Sequence, residues 1–258
     1  MAMEDCLYRR LFSYDYYREI INVIKRSGKL FSFHQLANKY QQKFVIMRHD
    51  VEFSVDRAFH LADFEHKYNF SSTYFFQMTN NAYNVLSKRN KDLIWKIADM
   101  GHKVGLHFHL NGMTESSVIT DQIKKEIDVM SSMLEMEIDS FSIHRPTTAL
   151  LKNNINLPGI INTYGDAFFS FTEDMVNNPP VIKYLSDARH YWNYNLEPDE
   201  KTINSHDKIQ ILIHPYSWTE KGYSNAVNFK TLLSEKHEEL VETIDRECKH
   251  FAEVRNAL

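Results

Sequence analysis

Phe44-Val-Ile-Met-Arg-His-Asp-Val-Glu52 begins as an apolar run and ends in the polar residues Arg48, His49, Asp50 and Glu52. Such a run, followed by Ser54 as a helix-starting serine, reads as a buried strand whose far end opens onto polar chemistry. Strand alternation places Asp50 and Glu52 on one side. Two carboxylates projecting together repel each other and lose hydration, so they call for a metal, a basic partner or a shared proton. The plainer alternative is a strand-end ion pair with Arg48.

Outward from this strand, strands and helices alternate. Upstream, Tyr17, Ile20, Ile21 and Ile24 recur at helical spacing with Gly28 at the C-cap position, and Ser32 starts a short helix toward Tyr40. Residues 1–42 thus read as an N-terminal helical segment packed on the main body. Downstream, Ser54 opens a helix to about Tyr68, and a strand follows over 71–77. Asn90 is the expected cap of the helix containing Leu93–Ala98, which Gly101 ends. A third strand runs from Lys103 to His109, a long helix from about 118 to 136, and a fourth strand from Ser140 into His144-Arg145-Pro146. The turn signal Pro158-Gly159 precedes a fifth strand over 160–164, and Pro179-Pro180 a sixth over 181–185. The seventh, 208–213, reaches His214-Pro215 before an amphipathic helix from about 228 to 251. This alternation predicts a parallel α/β sheet, and about seven strands predict a closed or nearly closed barrel in one domain spanning 1–258.

Composition narrows the function classes. A formal charge of −4 over 258 residues gives no footprint for nucleic acid or an anionic membrane. No apolar run approaches the roughly 20 residues of a membrane span, and Glu4 and Asp5 interrupt the N-terminus where a signal peptide would be apolar. The expectation is a cytoplasmic protein. Cys6 and Cys248 stand at opposite ends, without the spacing of a disulfide framework or thiolate site. Any metal would be held by histidine and carboxylate.

Polar residues recur where apolar strands end: Asp50 and Glu52, His107 and His109, His144 and Arg145, Asp187 and Arg189, then His214. In a parallel barrel these ends share one face, where active sites are built. Isolated histidines such as His34, His60, His66 and His250 read instead as surface or core residues. His107 and His109, two apart on a strand end, can face one ligand while Glu52 or Asp50 adds an oxygen. Two imidazoles and a carboxylate with one open position suit catalytic zinc or a similar divalent ion, which activates water and polarises a carbonyl. The spare carboxylate would act as general base, Arg145 would orient it, and His214 would protonate the leaving group. Trp192 and Trp218, just beyond strand ends, can stack on a sugar ring or close the barrel mouth.

Arg48-His-Asp-Val-Glu52, Gly101-His-Lys-Val-Gly-Leu-His-Phe-His109, Ser142-Ile-His-Arg-Pro146, Ser186-Asp-Ala-Arg189 and Ile211-Leu-Ile-His-Pro215 together resemble the five ordered motifs of the polysaccharide deacetylase (NodB-homology) superfamily. The resemblance covers about residues 44 to 218. It implies a distorted (β/α)7 barrel and metal-dependent removal of acetyl from an N-acetylated sugar. Residue by residue it implies Asp50 as base, His107 as first metal histidine, Arg145 as base-orienting arginine and His214 as acid. The chain departs from the family in two places. The family's adjacent aspartate pair is Asp50-Val51-Glu52 here, so the resemblance leaves either Glu52 as the metal carboxylate or Asp50 in both roles, and the expectation taken forward is Glu52. The family's second histidine position holds Asn111, and His109 is the nearest replacement. His144, Asp187, Arg189, Trp192 and Trp218 are the expected substrate contacts. The leading expectation is a deacetylase acting on a precursor of a cell-surface glycan. The alternatives are another amide or ester hydrolase on the same scaffold, and an inactive carbohydrate-binding barrel.

Overall fold

The structure, a computed structural model, describes residues 12–174, 177–193 and 196–255. Seven parallel strands, β1 (Phe44–Val51), β2 (Thr73–Phe76), β3 (Lys103–His109), β4 (Ser140–His144), β5 (Ile161–Asn162), β6 (Lys183–Ser186) and β7 (Lys208–Ile213), pair in the order β5-β4-β3-β2-β1-β7-β6. The sheet curls into a distorted (β/α)7 barrel. Its two edges are β5 and β6, which do not pair with each other among the described residues.

Alternation along β1 sorts its residues between two environments. Val45 and Met47 face outward, against α1 (Tyr14–Ser27), whose Tyr17, Ile20, Ile21 and Ile24 form the apolar stripe that the periodicity predicts. Phe44 and Ile46 face inward and join Phe75, Phe168 and Ile182 in an apolar plug, closed from below by Phe33 and Leu36 of α2 (Phe33–Asn38). Gly105 on β3 is required here, because a Cβ would lie 2.4 Å from the Phe75 ring. Above the plug, the same inward register continues as Arg48, Asp50 and Glu52. The barrel interior therefore changes from hydrocarbon to charge within one strand.

Helices follow the expected caps with a few corrections. Gly28 ends α1 at φ 65°, and Ser54 caps α3 (Val55–Lys67) by accepting from the Arg57 amide. Asn90 is not a cap: α4 (Lys88–Asp99) starts earlier, with Ser87 accepting the Asn90 amide, while the Asn90 side chain donates to the Asn84 carbonyl. After α5 (Ser116–Leu134), β5 is shorter than the sequence pattern suggests, at two residues. Short helices α6 (Thr148–Lys152) and α7 (Glu200–Ser205) join the later strands. The closing helix divides into α8 (Asn225–Glu247) and α9 (Phe251–Val254). No described helix is long and apolar enough to cross a membrane. Cys248 is free and exposed, and Cys6 lies outside the described residues.

Candidate metal centre and cleft

The C-terminal ends of β1, β3, β4 and β7 open into a cleft of about 890 Å³. Glu52, His107 and His144 bring one ligand atom each within 4.8 Å of one another. His144 Nδ1 lies 3.0 Å from Glu52 Oε1 and 3.2 Å from His107 Nε2. Strand register explains the meeting. His107 pairs with Ser142 and His109 with His144, so the ladder carries His144 to the mouth beside the end of β1.

Hydrogen-bond bookkeeping sets the tautomer of His107. Ser142 Oγ donates its one proton to Asp50 Oδ1 at 3.0 Å, so it accepts from His107 Nδ1–H at 2.7 Å. His107 Nε2 is left with its lone pair toward Glu52 and His144. Burial pushes the His107 pKa down to about 4, against the pull of Asp50 and Glu52, which keeps the ring neutral as a ligand must be. Nitrogen, nitrogen and carboxylate oxygen, with a hydrogen bond orienting one imidazole from behind, fit a zinc-type divalent ion.

Asp50 is buried beside this triad. Burial opposes its ionisation, but the charges of Arg48 and His214 and the hydrogen bond from Ser142 outweigh burial and hold its carboxyl below the usual range. Arg48, fully buried, donates from Nη2 to Asp50 Oδ2 at 3.2 Å and to the Tyr164 hydroxyl at 2.8 Å, and from Nη1 to Thr163 at 2.6 Å. On the opposite wall, His214 Nδ1–H donates to Asp187 Oδ1 at 2.6 Å, and Trp218 Nε1–H donates to Asp187 Oδ2 at 2.7 Å. Burial would lower the His214 pKa, yet Asp187 with Glu52 and Asp50 lifts it to about 9. The imidazole is therefore cationic at neutral pH. Its Nε2 is 3.8 Å from Glu52 Oε1, beside the candidate metal position.

The structure thus brings together Asp50, Glu52, His107, His144, Asp187 and His214 from the sequence-derived set. It places the others differently. His109 stacks on the His144 ring at 5.0 Å, and its Nδ1 accepts the Asn111 amide, so its ligand atom is not among the converging three. The expected His107 and His109 pairing is replaced in space by His107 and His144. Arg145 is exposed at the cleft rim and makes no hydrogen bond to Asp50; the arginine that contacts Asp50 is Arg48. Arg189 also lies on the rim. Trp192 and Trp218 are buried in the core with Tyr17 and Phe12, so neither presents a face to a ligand. The aromatic wall of the cleft is built instead by Phe53, Tyr216 and Phe229, with Phe53 and Tyr216 ring centroids 4.7 Å apart. The contact of Arg48 with Asp50 was within reach of period-two reading, since residues 48, 50 and 52 share one face. The aromatic wall comes from helix and loop packing and leaves no comparable signal.

No protein-family model and no curated protein sequence matches this chain. Among solved structures, similar chains are CE4 family polysaccharide deacetylases and a CE4 pseudoenzyme. The chitin deacetylase from the fungal pathogen Colletotrichum lindemuthianum is 16% identical over 76% of this chain and 84% of its own, with a TM-score of 0.44. The peptidoglycan deacetylase PdaC from Bacillus subtilis is 13% identical over 84% of this chain and 98% of its own, with a TM-score of 0.41. The wild-type CE4 family pseudoenzyme from Bacillus anthracis is 15% identical over 78% of this chain, with a TM-score of 0.40. This chain spans 63% of that longer protein.

Proposed function

We propose that the protein is a metal-dependent hydrolase that removes the acetyl group from an N-acetylated sugar. The observation that carries this reading is the convergence of Glu52, His107 and His144 between an anionic Asp50 and a cationic His214. A divalent ion bound by the three ligands supplies Lewis-acid polarisation of the acetamide carbonyl and acidifies water.

The chain's own residues perform the proton transfers. Asp50, held anionic by Arg48, takes a proton from the water that attacks the carbonyl carbon. His214 gives its Nε2 proton to the departing nitrogen as the C–N bond breaks, since an amine anion is a very poor leaving group. Asp187 orients the His214 ring so that Nε2–H faces the cleft, and Trp218 fixes Asp187 from behind. The Phe53, Tyr216 and Phe229 wall offers the apolar surface on which a sugar ring packs.

The test is acetate release from a panel of N-acetylated sugars and sugar conjugates, with and without prior chelation. Release that depends on added zinc or another divalent ion supports the reading. Metal-independent release, or none from any acetamide, contradicts it.

A further inference from the structure

We propose that Arg145 and Arg189 form a phosphate subsite at the mouth of the cleft, so that the sugar acted on carries a phosphate or diphosphate group. For the sugar this rests on the deacetylase reading; the subsite itself rests on charge and position.

Both arginines line the cleft and both are exposed. Neither makes an ion pair or a side-chain hydrogen bond among the described residues. Among the described residues, the only carboxylates lining the cleft are Asp50 and Glu52, and each already has a basic neighbour: Arg48 at 3.2 Å from Asp50 and His144 at 3.0 Å from Glu52. Two positive charges at the rim are therefore left uncompensated. A neutral acetamido sugar would leave that charge uncompensated, whereas a phosphate would neutralise it.

Their places in the sheet strengthen the assignment. Arg145 follows β4, one strand in from the β5 edge, and Arg189 lies in the turn after β6, the other edge. They stand on the two sides of the open seam between β5 and β6. Both also hold left-handed backbone conformations, with φ of 49° and 63°. That conformation is costly for residues other than glycine, and Arg145 adopts it immediately before Pro146, where extended backbone is preferred. Guanidiniums offer paired N–H donors that suit phosphate oxygens, and two of them on one cleft favour a dianionic group over a single carboxylate.

The experiment is calorimetric titration of N-acetylglucosamine and N-acetylglucosamine 1-phosphate into the wild-type protein, R145Q, R189Q and the double variant. Each titration is run with a divalent ion present and after chelation. The expected result is a preference of at least about tenfold for the phosphorylated sugar, weakened by salt, reduced in each single variant and absent in the double variant. A third ligand, UDP-N-acetylglucosamine, separates the sources. Still tighter binding supports a nucleotide-linked substrate, and binding equal to the 1-phosphate supports recognition of the phosphate alone. Equal affinity for neutral and phosphorylated sugar, no binding of either, or a preference that survives in the double variant overturns the proposal. So does a preference that disappears on chelation, which would put the phosphate on the ion. Acetate release, followed in the same samples, tests the deacetylase reading separately.

Discussion

His49 and Asp50 are neighbours in sequence, yet they face opposite sides of β1 and enter polar clusters of opposite character. Behind the sheet, His49 Nε2 meets Glu65 Oε1 at 2.9 Å, and Glu65 also accepts from Tyr17 at 2.5 Å, Ser72 at 2.6 Å and Tyr74 at 2.9 Å. His102 completes this group, accepting the Ser72 amide at Nδ1 and donating from Nε2 to the Ala62 carbonyl. Burial opposes the charge on Glu65, but His49, His102 and the hydroxyls pull its pKa down to about 2. Every Glu65 lone pair facing the protein is used, and neither His49 nor Glu65 is exposed. In the cleft, Glu52, His107 and His144 also crowd together, but their ligand atoms face a shared space that solvent reaches. Buried charge alone does not mark a functional site. The difference lies in the carboxylate: Glu65 is enclosed by four protein donors, whereas Glu52 shares its Oε1 with two imidazoles at the edge of an open cleft.

If the cleft cluster is chemical and the rear cluster structural, mutations on the two faces should separate rate from stability. Asp50→Asn should show the largest effect, lowering kcat toward the upper end of the roughly 10²–10⁴-fold that a positioned base supplies, with metal content retained. Steady-state kinetics beside metal analysis checks this, and loss of the ion would make Asp50 a ligand instead. His214→Ala should lower acetamide hydrolysis by about 10²-fold or more and spare an activated acetate ester, whose leaving group needs no proton. Equal losses on the two substrates would move His214 out of the chemistry.

Glu65→Gln should do the reverse. An amide cannot accept from all four donors, and a buried network that loses its charge typically costs about 3–5 kcal/mol, so denaturant midpoints should fall while kcat of the folded fraction holds. A rate loss without a stability loss would join the two faces of β1 and break the contrast.

The smallest effect is on acid stability. Glu65 has a folded pKa of about 2 against an ordinary value near 4.5, so its stabilising contribution is present above pH 4.5 and is lost as pH falls toward 2. The shift corresponds to about 3 kcal/mol, and Glu65→Gln should flatten that acid limb of the stability curve.

Much of this arrangement was legible in the sequence because β strands alternate and helices punctuate. The apolar run at 44–47, the serine caps at 32 and 54, and Gly28 each state a local rule that tertiary packing did not override. Glu65 also follows a local rule, since it falls on the apolar stripe of α3 with Ala58, Leu61 and Ala62 and is buried with them. The choice between His109 and His144 was not legible. It depends on the stagger between β3 and β4 and on the height of Glu52 above them, which no single strand encodes. The tryptophans failed for a related reason: a position just past a strand end does not state whether the side chain turns toward the cleft or, as Trp218 does, back onto α1.

The chemistry proposed for the cleft depends on Glu52, His107 and His144 holding one divalent ion. Metal content of the purified wild type, E52Q, H107A, H144A and H109A, measured after equilibration with zinc, tests it most directly. The prediction is about one ion per chain in the wild type and H109A, and near none in the other three. An H144A protein that keeps its ion while H109A loses it would make His109, not His144, the second histidine ligand.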